Sequence, residues 1–177
     1  MMRRLGVWCV VAVAVLGTVA SAAETLKFVP LVSEGEVLVS FELADAYTQE
    51  VRDAIASGLR TTFTYDLELR MPVAGWVDRT IATSVITTSS QYDNLTRRHT
   101  LSRAIDGRVL EVVLTENEAT VREWLTTLKR IPIYQTSRLD ASHDYFVRIR
   151  ARRRPAGTSL FGLASTITGQ ARFTFIP

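Results

Sequence analysis

The chain has 177 residues, 47% of them hydrophobic and 22% charged, with 21 Lys and Arg against 18 Asp and Glu. That is the size and make-up of one folded domain with a sizeable core. The near balance of charge speaks against nucleic acid as a partner, and a single cysteine, Cys9, excludes a disulfide framework and a cysteine-based zinc site.

The chain opens with Arg3 and Arg4, then an apolar run from Leu5 to Val19 that closes on Ala20-Ser21-Ala22. A positive start, an apolar stretch too short to span a bilayer and a small-residue ending are the three parts of a secretory signal. Residues 1–22 are therefore expected to be removed before Ala23, leaving an exported protein, periplasmic or secreted, with no transmembrane segment. Removal discards Cys9 and takes the 21 cations to 19 against the same 18 acids. Charge is unevenly spread in what remains. Acids dominate from Glu24 to Glu68, and arginine dominates from Arg138 onward.

Residues 23–36 read as an N-terminal lead-in and 37–177 as a single domain. Val37, Val39, Phe41 and Leu43 alternate with more polar neighbours, the period-two pattern of a half-buried strand. The chain turns at Asp45. Thr48 then suits a helix N-cap, Val51, Ala54 and Ile55 supply an apolar face, and Gly58 a stop. Phe63, Tyr65, Leu67 and Leu69 line one face of the next strand, with Thr62, Thr64, Asp66 and Glu68 on the other, where solvent accounts for the carboxylates. Pro72 and Gly75 mark a hairpin loop carrying Trp76, followed by a β-prone return from Asp78 to about Thr88.

Tyr92-Asp93-Asn94 reads as a turn into a polar strand, Leu95 to Ile105, and Asp106-Gly107 as a tight hairpin into Arg108 to Leu114. Thr115 and Glu118 form a capping-box pattern for a second helix. Val121, Trp124, Leu125 and Leu128 are its stripe, Lys129 and Arg130 suit its C-terminal end, and Pro132 stops it. Strands follow at Tyr145 to Arg153 and Ala171 to Ile176, separated by a loop holding Leu160-Phe161-Gly162-Leu163, which is expected to fold over the core. The whole predicts an α+β domain, an antiparallel, sandwich-like sheet core with two amphipathic helices inserted between strands.

This order of segments resembles a known family. The stretch VLVSFELADAYTQEVRDAIASGLRTTFTYDLELR from Val37, then Trp76 with Asp78, then QYDNLTRRHTLSR from Gln91, then the helix before Pro132, is similar to domain of unknown function 4390, a family of exported bacterial proteins. The resemblance covers roughly 37–150, and the C-terminal arm is shorter than the family leads one to expect. It implies an envelope protein with no assigned activity, with relatives encoded near a membrane sensor kinase.

No catalytic, cofactor or metal constellation stands out. His99 lies among Arg97, Arg98 and Thr100 and reads as a surface imidazole. Ser142, His143 and Asp144 have the residue types of a hydrolytic triad, but consecutive residues on an extended chain point to opposite faces. The unusual feature is Arg148, Arg150, Arg152 and Arg154, which alternate and so share one strand face, with Val147, Ile149 and Ala151 on the other. Two readings stay open: charge that protects an edge strand, or an anion- or partner-binding ladder exploiting the guanidinium fork.

The sequence thus leads to a monomeric, non-catalytic binding or interaction module. Its partner would be an envelope protein or an anionic lipid or polymer surface. A carrier or sensor of an amphiphilic or anionic ligand, such as a lipid or cell-wall component, working with a membrane sensor kinase, is the alternative. An enzyme comes third.

Overall fold

A strand lies within the expected lead-in. β1 (Leu26–Ser33) pairs antiparallel with β2 (Glu36–Leu43) in unbroken register from Leu26 opposite Leu43 to Ser33 opposite Glu36. Glu34 and Gly35 close the hairpin with φ of 54° and 77°, the left-handed pair that a tight two-residue turn requires. The computed structural model describes residues 26–43, 45–155 and 166–173. The signal segment with Cys9 and Ala23, the Leu160-Phe161-Gly162-Leu163 loop and Ile176 lie outside the described residues.

After β2 comes α1 (Gln49–Ala56), where Thr48 Oγ1 accepts from the Val51 N–H at 3.4 Å. The helix ends at Gly58, whose φ of +82° an L side chain rarely adopts. Five further strands and a second helix follow in order: β3 (Thr61–Met71), β4 (Arg79–Asp93), β5 (Arg98–Ile105), β6 (Arg108–Thr115), α2 (Glu118–Thr126) and β7 (Thr127–Gln135). β8 (Tyr145–Pro155) and β9 (Thr166–Phe173) complete the described chain. The strands form two antiparallel sheets, β1-β2-β7 and β6-β5-β4-β3-β8-β9. The protein is thus α+β and mostly antiparallel sheet. No described helix is long and apolar enough to cross a membrane.

Two expectations for the second helix change. Its N-cap is Asn117, whose Oδ1 accepts from the Ala119 and Thr120 amides at 2.8 and 3.4 Å, while Thr115 Oγ1 accepts from the Asn117 amide. The helix also ends at Thr126 and runs directly into β7, so Leu128, Lys129, Arg130 and Pro132 belong to a strand. β-branched Thr126 and Thr127 and pairing with β2 end the helix there. Pro132 is tolerated because β7 is an edge of its sheet and the register shifts beside it.

The large sheet has one covered and one open face. Phe63, Tyr65, Leu67 and Leu69 of β3 are buried as their alternation predicts, beside Val147, Ile149 and Ala151 of β8. Against this inner face pack α2 and the small sheet. The Tyr65 hydroxyl donates to the Leu125 carbonyl, Trp124 Nε1 donates to the Ser102 carbonyl at 3.2 Å, and the Phe41 and Tyr65 rings lie 4.8 Å apart. Val39, Phe41, Val51, Ile55, Val121, Leu125 and Leu128 join the same core.

Candidate functional site

The face that α2 and the small sheet leave open carries the arginines singled out from the sequence. β8 is not an edge strand: β3 flanks it on one side and β9 on the other. Protection of an edge is therefore not what the arginines do. They face the carboxylates of β3 instead, with Arg148 directly opposite Glu68, Arg150 opposite Asp66 and Arg152 opposite Thr64.

Arg148 Nη2 donates to Glu68 Oε2, Arg150 Nη1 lies 3.8 Å from Glu68 Oε1, and Arg152 Nη2 reaches diagonally to Asp66 Oδ2 at 2.7 Å. Arg70 Nε is 3.8 Å from Glu68 Oε2, and its Nη2 donates to the Asp78 carbonyl. Asp66 and Glu68 are thus half-buried members of a charge ladder, where the sequence suggested carboxylates accounted for by solvent. Arg154 also lies on β8, opposite Thr62; its side chain lies outside the described residues.

Across the same face the chemistry changes from strand to strand. Thr166, Thr168 and Gln170 of β9 are exposed polar neighbours of the arginines. Toward β5, Arg60 donates to Ser89 Oγ at 3.1 Å and Ser102 Oγ at 3.3 Å. At the far side β6 exposes Val109, Leu110, Val112 and Leu114. The open face therefore runs from a polar edge through a cation-rich strip to an apolar edge. Arg60, Arg70, Arg148, Arg150 and Arg152 outnumber Asp66 and Glu68 on it.

A second concavity sits between α1 and the β4–β5 hairpin, a groove of about 460 Å³ whose lining includes Tyr47, Arg52, Tyr92, Arg97, His99 and Glu118. The rings of Tyr92 and His99 lie 4.7 Å apart at 42°. His99 is half-buried with Nδ1 enclosed and unpaired, which corrects its reading as a surface imidazole. Burial opposes its charge and lowers its pKa, an effect that Glu118 partly offsets. Burial likewise pushes the Tyr47 hydroxyl up to about 12, with Glu118 adding to the shift. Much of the groove's polarity is engaged internally: Gln49 bonds both Asp53 and Arg52, and Arg98 holds Glu116 at 2.9 Å.

At the opposite end of the molecule, Ser142 Oγ and His143 Nδ1 are 3.1 Å apart, and Asp140 Oδ2 lies 3.3 Å from the same nitrogen. In a proton relay the serine and the carboxylate use different ring nitrogens. Here both meet Nδ1, so the three form a polar turn. Among the described residues, no three His, Asp or Glu side chains gather as a metal site. The hairpin loop does carry Trp76, 82% exposed, as an apolar tip.

Fold and surface together define an antiparallel α+β protein with one open sheet face. Over residues 20–158 the chain matches the family described as domain of unknown function DUF4390. It belongs to that family, as the order of its segments suggested. No curated protein and no solved structure matches it.

Proposed function

We propose that this is an exported, non-catalytic interaction module of the cell envelope, with its two sheets facing each other as a sandwich-like core. Its contact surface is the cation-rich strip of β3 and β8. The observation that carries this reading is the open outer face, where arginines outnumber carboxylates across neighbouring strands.

The partner is an acidic protein surface in preference to an anionic membrane. Asp66 and Glu68 interleave with the arginines and cancel much of the field that a membrane would reward. A protein surface, by contrast, answers a pattern of charges one by one. Arg150, 43% exposed and 3.8 Å from its carboxylate, is the guanidinium most available for a bidentate contact. The groove beside α1 is open and lined by several charged side chains, which fits an amphiphile carrier poorly.

Photo-crosslinking from the native envelope tests the reading. A crosslinker in place of Arg150 or Thr168 is expected to yield a discrete protein adduct, while one in place of Asp53 on α1 yields none. Adducts from all three positions, or from Asp53 alone, would overturn it. Anionic vesicles that retain the protein at moderate salt would move the partner from protein to membrane.

A further inference from the structure

We propose that the tip of the β3–β4 hairpin enters a phospholipid surface, with Trp76 and Val77 at headgroup depth and Arg79 and Arg138 on the lipid phosphates. This contact is separate from the arginine strip and stands whether or not the strip binds a protein.

The first ground is the make-up of the tip. The last ladder pair of the hairpin is Met71 opposite Arg79. From Met71 to Val77 the chain reads MPVAGWV, without a charge. Trp76 and Val77 are 82 and 74% exposed, and Pro72 and Ala74 are exposed beside them. One apolar side chain at a surface is ordinary, whereas a run of them at the end of a hairpin marks an interaction site.

The second ground is that this exposure is built in. The Trp76 amide donates to the Val73 carbonyl at 3.1 Å, and Gly75 between them has a φ of 73°, the positive value that the third residue of a type II turn requires. A Cβ at Gly75 would meet nothing within 4 Å, so the turn stands clear of the rest of the chain. Its base is tied where Arg70 Nη2 donates to the Asp78 carbonyl at 2.9 Å. Folding the tryptophan back over the core would cost these bonds.

The third ground is the charge at the base of the tip. A groove of about 370 Å³ opens there, lined by Met71, Ile81 and Leu139 and by Arg79, Thr80 and Arg138. Both arginines are exposed, and among the described residues neither has a carboxylate partner. The acid of the groove, Asp140, is engaged in its own turn by Ser142 and His143. Unpaired guanidinium forks suit phosphate oxygens, and here they stand beside an apolar tip.

Size decides between a protein and a lipid as the occupant. A tip this short falls below the ~800 Å² per partner that a standard protein interface buries. A membrane interface takes up amphipathic rings singly, and tryptophan is enriched at headgroup level. Apolar burial and attraction to lipid phosphates together govern interfacial binding. The hairpin supplies both, while the strip supplies charge alone.

Vesicles of phosphatidylcholine mixed with phosphatidylglycerol test this on the mature protein. Trp124 is buried and bonded to the Ser102 carbonyl, so changes in emission report Trp76. The protein is expected to sediment with the vesicles, shift its emission to the blue and be quenched by lipids brominated near the headgroup end of the chain. Trp76→Ala should bind at least about tenfold more weakly. Arg79→Gln combined with Arg138→Gln should also bind about tenfold more weakly. All three positions are exposed, so the variants should keep the melting temperature of the parent.

A parent that leaves the vesicles unbound overturns the proposal, as does undiminished binding by Trp76→Ala. Undiminished binding by the double variant overturns the phosphate contacts. Binding of glycerol phosphate without binding of vesicles would assign the arginines to a soluble anion and overturn the membrane contact. Arg150→Ala separates the tip from the strip. Vesicle binding that survives this change and falls with Trp76→Ala belongs to the tip and leaves the strip's protein partner as proposed. Binding lost with Arg150→Ala alone overturns the tip and moves the strip to the membrane.

Discussion

The two edges of the large sheet are built in opposite ways. At one edge, β9 turns polar Thr166, Thr168 and Gln170 to the open face, and its inner side is closed by β1. The closure is tight at Gly169, where a Cβ would lie 2.9 Å from Leu26 Cδ2 and 3.1 Å from Phe28 Cε1. At the other edge, β6 offers apolar side chains to solvent with nothing among the described residues across from it. Both strands end the sheet, but β9 is covered on its inner face by β1, while β6 turns apolar side chains to solvent on the outer face. The difference teaches that the two end strands of one sheet divide their apolar surface differently, inward under β1 at β9 and outward to solvent at β6.

The largest effect is expected in the core that holds both edges in place. Leu128, buried on β7, packs with Val121 and Leu125 of α2 in that core. Leu128→Ala should cost about 2–5 kcal/mol in chemical denaturation, the range for a buried leucine whose cavity stays partly open. An unchanged midpoint would detach the small sheet from the core.

The next effect belongs to the closed edge. Gly169→Val forces atoms into contact with Leu26 and Phe28 and should cost about 1–3 kcal/mol, the usual penalty of overpacking. If Gly169→Val is as stable as the parent, β1 does not cover β9 and the contrast between the edges fails.

How far the sequence led can be judged from these same elements. Alternation alone identified β2, β3 and β8 and their buried faces, because a side chain's face follows from its parity along a strand. Thr48 and Gly58 bounded α1 for equally local reasons. Leu26–Ser33 was harder to read, since it has apolar residues on both parities and a proline at Pro30. The start of β7 reads as helix because Leu128 fits the stripe begun by Val121; only pairing with β2, distant in sequence, decides otherwise.

The arginine ladder was visible, but its place in the sheet was not. The partners of Arg148 and Arg152 lie 80 and 86 residues away, and no local pattern reports such pairing. The open β6 edge was missed for the same reason. Its strand was recognised from the Asp106-Gly107 turn, while its edge position depends on the order of all six strands.

A smaller effect distinguishes the β6 side by pH. His99 on β5 has its pKa lowered from 6.5 by burial, with Glu118 opposing, and Arg97, Glu116 and Asp53 also line its groove. As pH falls through the unfolded value, the unfolded chain takes up a proton that the folded chain resists, so stability falls. His99→Gln should flatten the decline in melting temperature on acidification from about pH 7.5 to about 5.5. Asp93 and Asp140 have their pKa values lowered by hydrogen bonds, so their share is lost only at lower pH. Parallel slopes for parent and variant would remove His99 from the account.

The smallest effect on folding is expected at the open edge itself. Val112→Lys should leave stability within about 0.5 kcal/mol, as for surface positions generally, because Val112 is exposed. A loss of several kcal/mol would mean that Val112 is buried within one chain.

The contrast between the edges is tested most directly by amide exchange followed strand by strand. The β9 amides that bond β8 should exchange slowly, because both strands and the β1 cover over them belong to the same chain. The outward amides of β6, which no strand meets among the described residues, should exchange fast. Equal protection of these two sets of amides would contradict the account.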